Sequence, residues 1–343
     1  MEAVQERTGG STTVRWFGPE DRGERARIEA AGLAFEPVAA AAVRGRGPLA
    51  LVRSLARLGG GTISALRRLR RFKPDVVFST GGYGSFPCSV AARVLRRPLV
   101  VYLPDVEPGW AVKAEKRLAT RMATTTEAAL AFLPRNKTRV TGYPVRTEFF
   151  ELTRERARKQ LGIPGDAKVV VIAGATQGAK AINDAVFRGL RSLVEDAWLY
   201  HISGAAQADE AAGFESALGA ELAGRYFPAP FRQDLPAIMV AADVGVFRAG
   251  ASVLGEVPAA GLPSILVPAT YAGGHQMNNA RWLADGGAAV IKEEPQLGTL
   301  CETILRLLED EDRLTTMRAA AKALARPNAA AAIAELVLEV ARK

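Results

Sequence analysis

The sequence predicts an α/β chain of parallel sheets covered by helices on both faces. Two observations carry this reading. Short apolar runs of strand length recur, each followed by a glycine-containing turn and a helical stretch, as in residues 74–95, 168–195 and 243–285. Strands and helices alternating at this spacing build parallel sheets, and ligands then sit beyond the carboxyl ends of the strands. In residues 243–287 two such units follow each other directly, so the chemistry of both turns falls at one sheet edge. A length of 343 residues suggests two or three domains.

Taken in order, residues 1–8 read as a helix ending at Gly9 and Gly10, and residues 13–17 alternate as a strand. Residues 20–31 are charged and helical up to Gly32, and 33–38 form another strand. A doubly wound domain ordinarily opens with a strand, a Gly-rich turn and then a helix. This chain starts in that helix, so the expectation is a recorded start codon that lies too late, or a truncation. Residues 50–72 read as a long basic helix broken at Gly59-Gly60-Gly61. The strand at 74–79 runs into Thr80-Gly81-Gly82-Tyr83-Gly84-Ser85, and a helix continues to Leu95. Glycines after a buried strand let backbone N–H groups approach a phosphate, although tight strand-to-helix turns use glycine anyway.

Residues 98–103 form the next strand, with a loop at 104–109. Short strands at 122–126 and 138–141 lead to Gly142-Tyr143-Pro144-Val145-Arg146, and the domain boundary falls near 150–164. The second domain opens with a strand at 168–173, a turn from Gly174 to Lys180, and a helix to Glu195. That turn is not Gly-x-Gly-x-x-Gly, so an NAD-linked enzyme ranks low. His201 reads as a packed histidine in the strand at 197–202. After a strand at 289–292 come two or three helices, the last spanning 329–341.

The charge is uneven. Residues 1–150 carry 25 Lys and Arg against 13 Asp and Glu, whereas 151–343 carry 20 against 23. Leucine, phenylalanine and arginine interleave at 65–72, which suits a helix lying on anionic headgroups, or else a solvated basic face. No nucleic-acid motif accompanies the charge, so nucleic acid is not an expected partner. Cys88 and Cys301 form no metal-ligand or redox spacing, and two histidines argue against a histidine-rich metal site. No apolar run reaches the roughly 18 residues of a membrane span.

The turns of residues 243–287 carry the densest chemistry. Gly250 opens a helix, where free N–H groups and the dipole attract phosphate. Glu256 follows with an acceptor-only carboxylate that suits a ribose diol. Arg248 is able to pair with a phosphate or carboxylate. His275, Gln276, Asn278 and Asn279 crowd the next helix start with donors and acceptors. The same residues also fit packing glycines and a solvated helix start.

This stretch resembles the donor-site signature of the MurG-type glycosyltransferases. The matching residues are Arg248-Ala249-Gly250-Ala251, Gly255-Glu256, 259–263, His275-Gln276, Asn279-Ala280 and Gly287-Ala288. Ala249 and Gly255 stand where the family prefers Ser, and Pro258 lies inside the helix, where proline costs about 3 kcal/mol unless the helix kinks. Residues 142–146 resemble the family's Gly-Asn-Pro-Val-Arg, and 174–179 its Gly-Gly-Ser-Gln-Gly-Ala. Residues 80–87 match its second Gly-rich loop. The family's His-Glu-Gln-Asn is Tyr102-Leu103-Pro104-Asp105 here, and its first strand and first Gly-rich loop, with a histidine favoured as catalytic base, have no counterpart.

The resemblance implies the GT-B fold class, α/β, with two Rossmann-like doubly wound domains. The N-terminal acceptor domain would cover 1–150, the donor domain 164–325, and a C-terminal helix at 326–343 would pack back on the first. It implies an inverting transfer of N-acetylglucosamine from UDP-N-acetylglucosamine to lipid I, a polyprenyl-diphosphate muramyl peptide. The donor-binding residues implied are Arg146, Thr176, Arg232, Arg248, Gly250, Ala251, Ser252, Glu256, His275, Gln276 and Asn279. Those implied for the acceptor are Gly81, Gly82, Tyr83, Ser85 and Asp105. Asp105 reads first as a turn residue or helix cap, and second as a candidate general base. No cofactor and no catalytic metal is expected, and the chain would sit peripherally on the anionic inner face of the cell membrane. The alternatives are a related UDP-sugar transferase with another lipid acceptor, and a non-catalytic or truncated UDP-sugar binder.

Overall fold

The computed structural model describes residues 2–20, 23–40, 48–174, 179–270 and 274–342. The chain divides into two compact units, one formed by Met1–Thr141 with Asn328–Lys343, the other by Gly142–Pro327.

In chain order the first unit holds α1 (Glu2–Arg7), β1 (Arg15–Gly18), α2 (Arg25–Ala30), β2 (Ala34–Pro37), α3 (Pro48–Phe72), β3 (Val77–Ser79), α4 (Phe86–Val94), β4 (Leu99–Leu103), α5 (Trp110–Leu118), β5 (Arg121–Thr124) and β6 (Thr138–Val140). β1 and β2 pair in parallel, and β3-β4-β5-β6 form a second parallel sheet. Side chains alternate across a strand, and β4 shows the consequence. Leu99, Val101 and Leu103 pack with Val112 of α5, while Val100 and Tyr102 pack on the other face with Ile333, Leu336 and Val340.

α3 corrects one expectation. It runs through Gly59, Gly60 and Gly61 without a break. A Cβ on Gly61 would lie 1.8 Å from the Ala39 carbonyl oxygen, so glycine there permits close approach, whereas Gly59 and Gly60 face open space. Arg68 and Arg15 both pair with Glu36, at 2.6 and 2.8 Å, and tie α3 and β1 to β2. α2 is also shorter than the 20–31 expected.

The second unit continues with α6 (Glu148–Glu151), α7 (Arg154–Leu161), β7 (Val169–Ala173), α8 (Lys180–Arg188), α9 (Leu190–Asp196), β8 (Trp198–Ile202), α10 (Ala208–Ala217), α11 (Ala220–Ala223), β9 (Tyr226–Ala229), α12 (Leu235–Ala241), β10 (Val244–Arg248), α13 (Val253–Ala260), β11 (Ser264–Val267), α14 (His275–Asp285), β12 (Ala289–Ile291), α15 (Leu300–Glu309) and α16 (Glu311–Ala323). α17 (Ala329–Ala341) then belongs to the first unit. The six-stranded sheet is parallel, in the order β12-β11-β10-β7-β8-β9, and winds outward in both directions from β7 and β10.

The boundary precedes the one expected near 150–164 because α6 and α7 pack on α12 and α13. Arg154 and Arg158 of α7 both pair with Asp243 at the start of β10, and Arg158 does so at 3.0 Å. The helix expected to run to Glu195 is split at Gly189, where a Cβ would lie 2.6 Å from the Cys301 sulfur. Pro258 sits in the last turn of α13, which stops at Ala260 with Gly261 in the left-handed region. His201 is fully buried, bonded through Nδ1 to the Tyr226 hydroxyl at 2.9 Å and through Nε2 to Asn183 Oδ1 at 3.0 Å.

Candidate functional site

β7 and β10 are neighbours from which the winding reverses, and the crevice beyond the carboxyl ends of such strands is where ligands bind. The chain leaves β7 through Gly174, whose Cβ would fall 2.3 Å from the Ala179 nitrogen, so the turn closes on glycine alone. Thr176 lies in 175–178, outside the described residues. The chain leaves β10 through Ala249 and Gly250 and enters α13. Glu256 stands in the first turn of α13. Burial pushes its carboxyl above the usual range, against a hydrogen bond from Ser252 and the nearby charge of Arg146. Arg146 donates to the Gln233 carbonyl at 2.7 Å and lies 3.6 Å from Glu148.

α13 approaches residues 143–145 closely. A Cβ on Gly255 would lie 2.7 Å from Tyr143 Cβ and 2.9 Å from Val145 Cγ1. Gly255 therefore brings the segment carrying Arg146 against the helix carrying Glu256. Gly250, Ala251 and Ser252 lead into this helix start, where backbone N–H groups and the helix dipole favour an anion. The structure thus brings Arg146, Ser252 and Glu256 together within the second unit.

Two expected donor residues are placed otherwise. Arg248 is 8% exposed and forms an ion pair with Glu294 at 2.6 Å, with the Val267 and Pro268 carbonyls 3.4 and 3.5 Å from Nη1. A guanidinium drawn into a sheet edge needs a counter-charge, and Glu294 supplies it. Arg248 braces β10 and is not presented to a ligand. Asn279 is fully buried and donates from Nδ2 to the Ala249 carbonyl at 3.0 Å, so it holds the β10–α13 turn from α14.

Gln276 accepts the Ala269 N–H at 2.9 Å and anchors the exit from β11. His275 opens α14, and its buried Nδ1 has no hydrogen-bond partner among the described residues. Arg232 pairs with Asp234 at 2.6 Å and lies over the Tyr200 ring. Its side chain is thereby committed to groups of the protein.

In the first unit, residues 80–85 join β3 to α4. Gly81 and Gly82 have φ of 77° and 91°, which β-carbon-bearing residues rarely adopt. Tyr83 and Ser85 are half-buried. Ser85, Ser79 and Ser89 all donate to one buried carboxylate, Glu115 on α5. Asp105 is half-buried on the loop between β4 and α5. Tyr102 and Leu103, in place of the family's His-Glu, lie inside β4, and the Tyr102 hydroxyl bonds Thr125 at 2.8 Å.

Glu115 and Glu294 were not legible in advance. Glu115 stands 26 to 36 residues from its serines, and no local spacing links a carboxylate to partners on other elements.

Comparison with known proteins meets this geometry. Residues 6–124 match the glycosyltransferase family 28 N-terminal domain, and residues 169–333 the glycosyltransferase family 28 C-terminal domain. A protein of Desulforudis audaxviator is 37% identical, over 91% of this chain and 86% of its own length. One from a Roseiflexus species is 36% identical, over 89% and 78%. Both are named UDP-N-acetylglucosamine–N-acetylmuramyl-(pentapeptide) pyrophosphoryl-undecaprenol N-acetylglucosamine transferase. The crystal structure of MurG from Acinetobacter baumannii superposes with a TM-score of 0.75 at 25% identity, covering 98% of this chain and 94% of that one.

Proposed function

The chain belongs to the MurG-type transferases of glycosyltransferase family 28, and from that premise we propose that it moves N-acetylglucosamine from UDP-N-acetylglucosamine onto lipid I, forming lipid II of peptidoglycan synthesis. The observation that carries the donor half is the convergence of Arg146, Ser252 and Glu256 at the start of α13, beside the reversal of strand order.

In this reading the Glu256 carboxylate accepts hydrogen bonds from the ribose diol. The N-terminal end of α13 and the Arg146 guanidinium face the diphosphate. Their positive charge matters most as the glycosidic bond breaks and negative charge gathers on the departing UDP. Protein groups carry that task, with no metal assigned to it. Gln276 and His275 lie at the start of α14, where the sugar is read. The acceptor hydroxyl attacks the anomeric carbon from the opposite side in one displacement, so the centre inverts. Asp105, on the loop after β4, is the carboxylate we assign to take the acceptor's proton. Asp105→Asn should lower kcat by about 10²-fold or more while UDP-N-acetylglucosamine still binds. Unchanged turnover would remove Asp105 from the mechanism.

Calorimetric titration with UDP-N-acetylglucosamine, with UDP-glucose and NAD as controls, tests the donor site. Saturable binding selective for the N-acetyl sugar is expected, and Glu256→Ala should weaken it. Absence of binding by the folded chain would leave a shared fold without the donor site.

We also place the first unit on the anionic inner face of the cell membrane. No helix among the described residues is long and apolar enough to cross a membrane. The basic helix α3 and the exposed side chains of Ile63 and Trp110, the latter 70% exposed, support contact with its surface. Sedimentation with vesicles rich in anionic lipid should carry the protein down at low salt and release it at high salt. Equal binding to neutral vesicles would contradict the placement.

A further inference from the structure

Glu115 is fully buried in the middle of α5, and serine hydroxyls from the β3–α4 region donate hydrogen bonds to it. Ser89 on α4 donates to Oε1 at 2.6 Å, and Ser85 donates to the same oxygen at 3.0 Å. Ser79, the last residue of β3, lies 3.1 Å from both carboxylate oxygens. Among the described residues no cation forms an ion pair with this carboxylate. α5 also touches the loop through Val112, whose Cγ2 would be 2.6 Å from a Cβ on Gly81. One helix therefore shapes the loop twice, by a steric contact at Gly81 and by hydrogen bonds at both of its ends.

The direction of these bonds matters more than their number. A hydroxyl has one hydrogen to give and lone pairs left to accept with. The hydrogen of Ser85 is shared between Glu115 Oε1 and the Gly82 carbonyl at 2.9 Å. Both neighbours are acceptors, so that hydrogen is spoken for. The Gly81 N–H is spent on Ser79 Oγ at 3.1 Å. Ser79 and Ser89 are buried, whereas Ser85 is half-exposed. Ser85 Oγ, on the one half-exposed residue of the three, thus keeps lone pairs to offer, and the Glu115 carboxylate that takes its hydrogen lies behind it. Both features disfavour a phosphate oxygen at this point and favour a group that donates.

We propose that Glu115 is the positioning residue of the 81–85 loop, and that through Ser85 it makes this loop select a hydroxyl or amide N–H of the acceptor, not its diphosphate. The inference rests on the reading of that loop as part of the acceptor site.

Steady-state kinetics on the full chain test it, with each substrate varied in turn and inorganic pyrophosphate added as an inhibitor against the acceptor. Glu115→Gln keeps the size, removes the charge and offers amide hydrogens to the serine oxygens, which frees a hydroxyl hydrogen. Its acceptor KM should rise about tenfold, and pyrophosphate inhibition against the acceptor should tighten by about tenfold once the buried charge is gone. The UDP-N-acetylglucosamine KM should stay within about twofold. A purely structural role for Glu115 gives no route to tighter pyrophosphate binding. Ser85→Ala should raise the acceptor KM several-fold without tightening pyrophosphate.

A folded Glu115→Gln protein with an unchanged acceptor KM, or with pyrophosphate inhibition no tighter than wild type, overturns the proposal. If that variant does not fold, Ser85→Ala decides, and an unchanged acceptor KM overturns it. A wild-type chain that binds no UDP-N-acetylglucosamine and transfers nothing sinks the transferase reading, and this inference with it. A competent wild type beside an indistinguishable Glu115→Gln sinks this inference alone.

Discussion

Arg146 and Arg248 read alike in the sequence, as guanidiniums beside glycine turns, and the fold separates them. Arg146 stays exposed near Glu256, while Arg248 is drawn into the sheet edge against Glu294. Removing one partner of a buried pair strands the other, at a cost on the order of 3 kcal/mol. Arg248→Ala should therefore lower the denaturant midpoint markedly, whereas Arg146→Ala should leave the midpoint nearly unchanged and lower kcat by about 10²-fold. The reverse pattern would exchange their roles.

His201 gives a pH test at the same scale. Burial lowers its pKa from 6.5 to about 4, so the unfolded chain binds the proton more readily. Stability from this group is complete above pH 6.5 and is lost as pH falls toward 4. The loss should reach about 2 kcal/mol between pH 7 and pH 5. Urea titrations at the two pH values should show it, and His201→Asn should flatten the difference. An equal slope in both proteins would remove His201 as its source.

Among the elements, periodicity and glycine punctuation made most strands and helices legible, including β7, β8 and α17 within a residue of their observed bounds. Glycine misled where its reason was tertiary. The run at 59–61 reads as a break, yet α3 continues through it: Gly61 makes room for the Ala39 carbonyl, and a Cβ on Gly59 or Gly60 would meet open space. Gly59→Ala and Gly60→Ala should each stabilise by roughly 0.5–1 kcal/mol, since alanine loses less freedom in a helix. Gly61→Ala should destabilise by about 1–3 kcal/mol through overpacking. Three urea midpoints check the set, and equal shifts at all three would contradict the packing account. Gly189 erred the other way: a single glycine inside a helical pattern stands at the break between α8 and α9, where Cys301 leaves no room for a Cβ.

For the whole molecule, charge and chain order foretold two units, and the contacts of 142–163 decided where one ends. Arg154 and Arg158 tie that segment to Asp243 in the second unit, a pairing across more than 80 residues that no local pattern announces. Ser252 and Glu256 of the candidate donor site were readable because they fall in one stretch, whereas Arg146 comes from an earlier segment. The network behind the 81–85 loop was not readable, because Ser79, Ser85, Ser89 and Glu115 meet only in the fold. The positive excess belongs to the first 150 residues, as the proposed division between a lipid-facing unit and a nucleotide-holding unit would require.

The most direct test of that division is UDP release from UDP-N-acetylglucosamine, measured with and without a polyprenyl-diphosphate muramyl peptide. Release should depend on both substrates and yield an inverted sugar linkage, and Glu256→Gln should slow it through weaker donor binding. Saturable donor binding with no acceptor-dependent release would contradict the account and leave a protein that holds a UDP-sugar without transferring it.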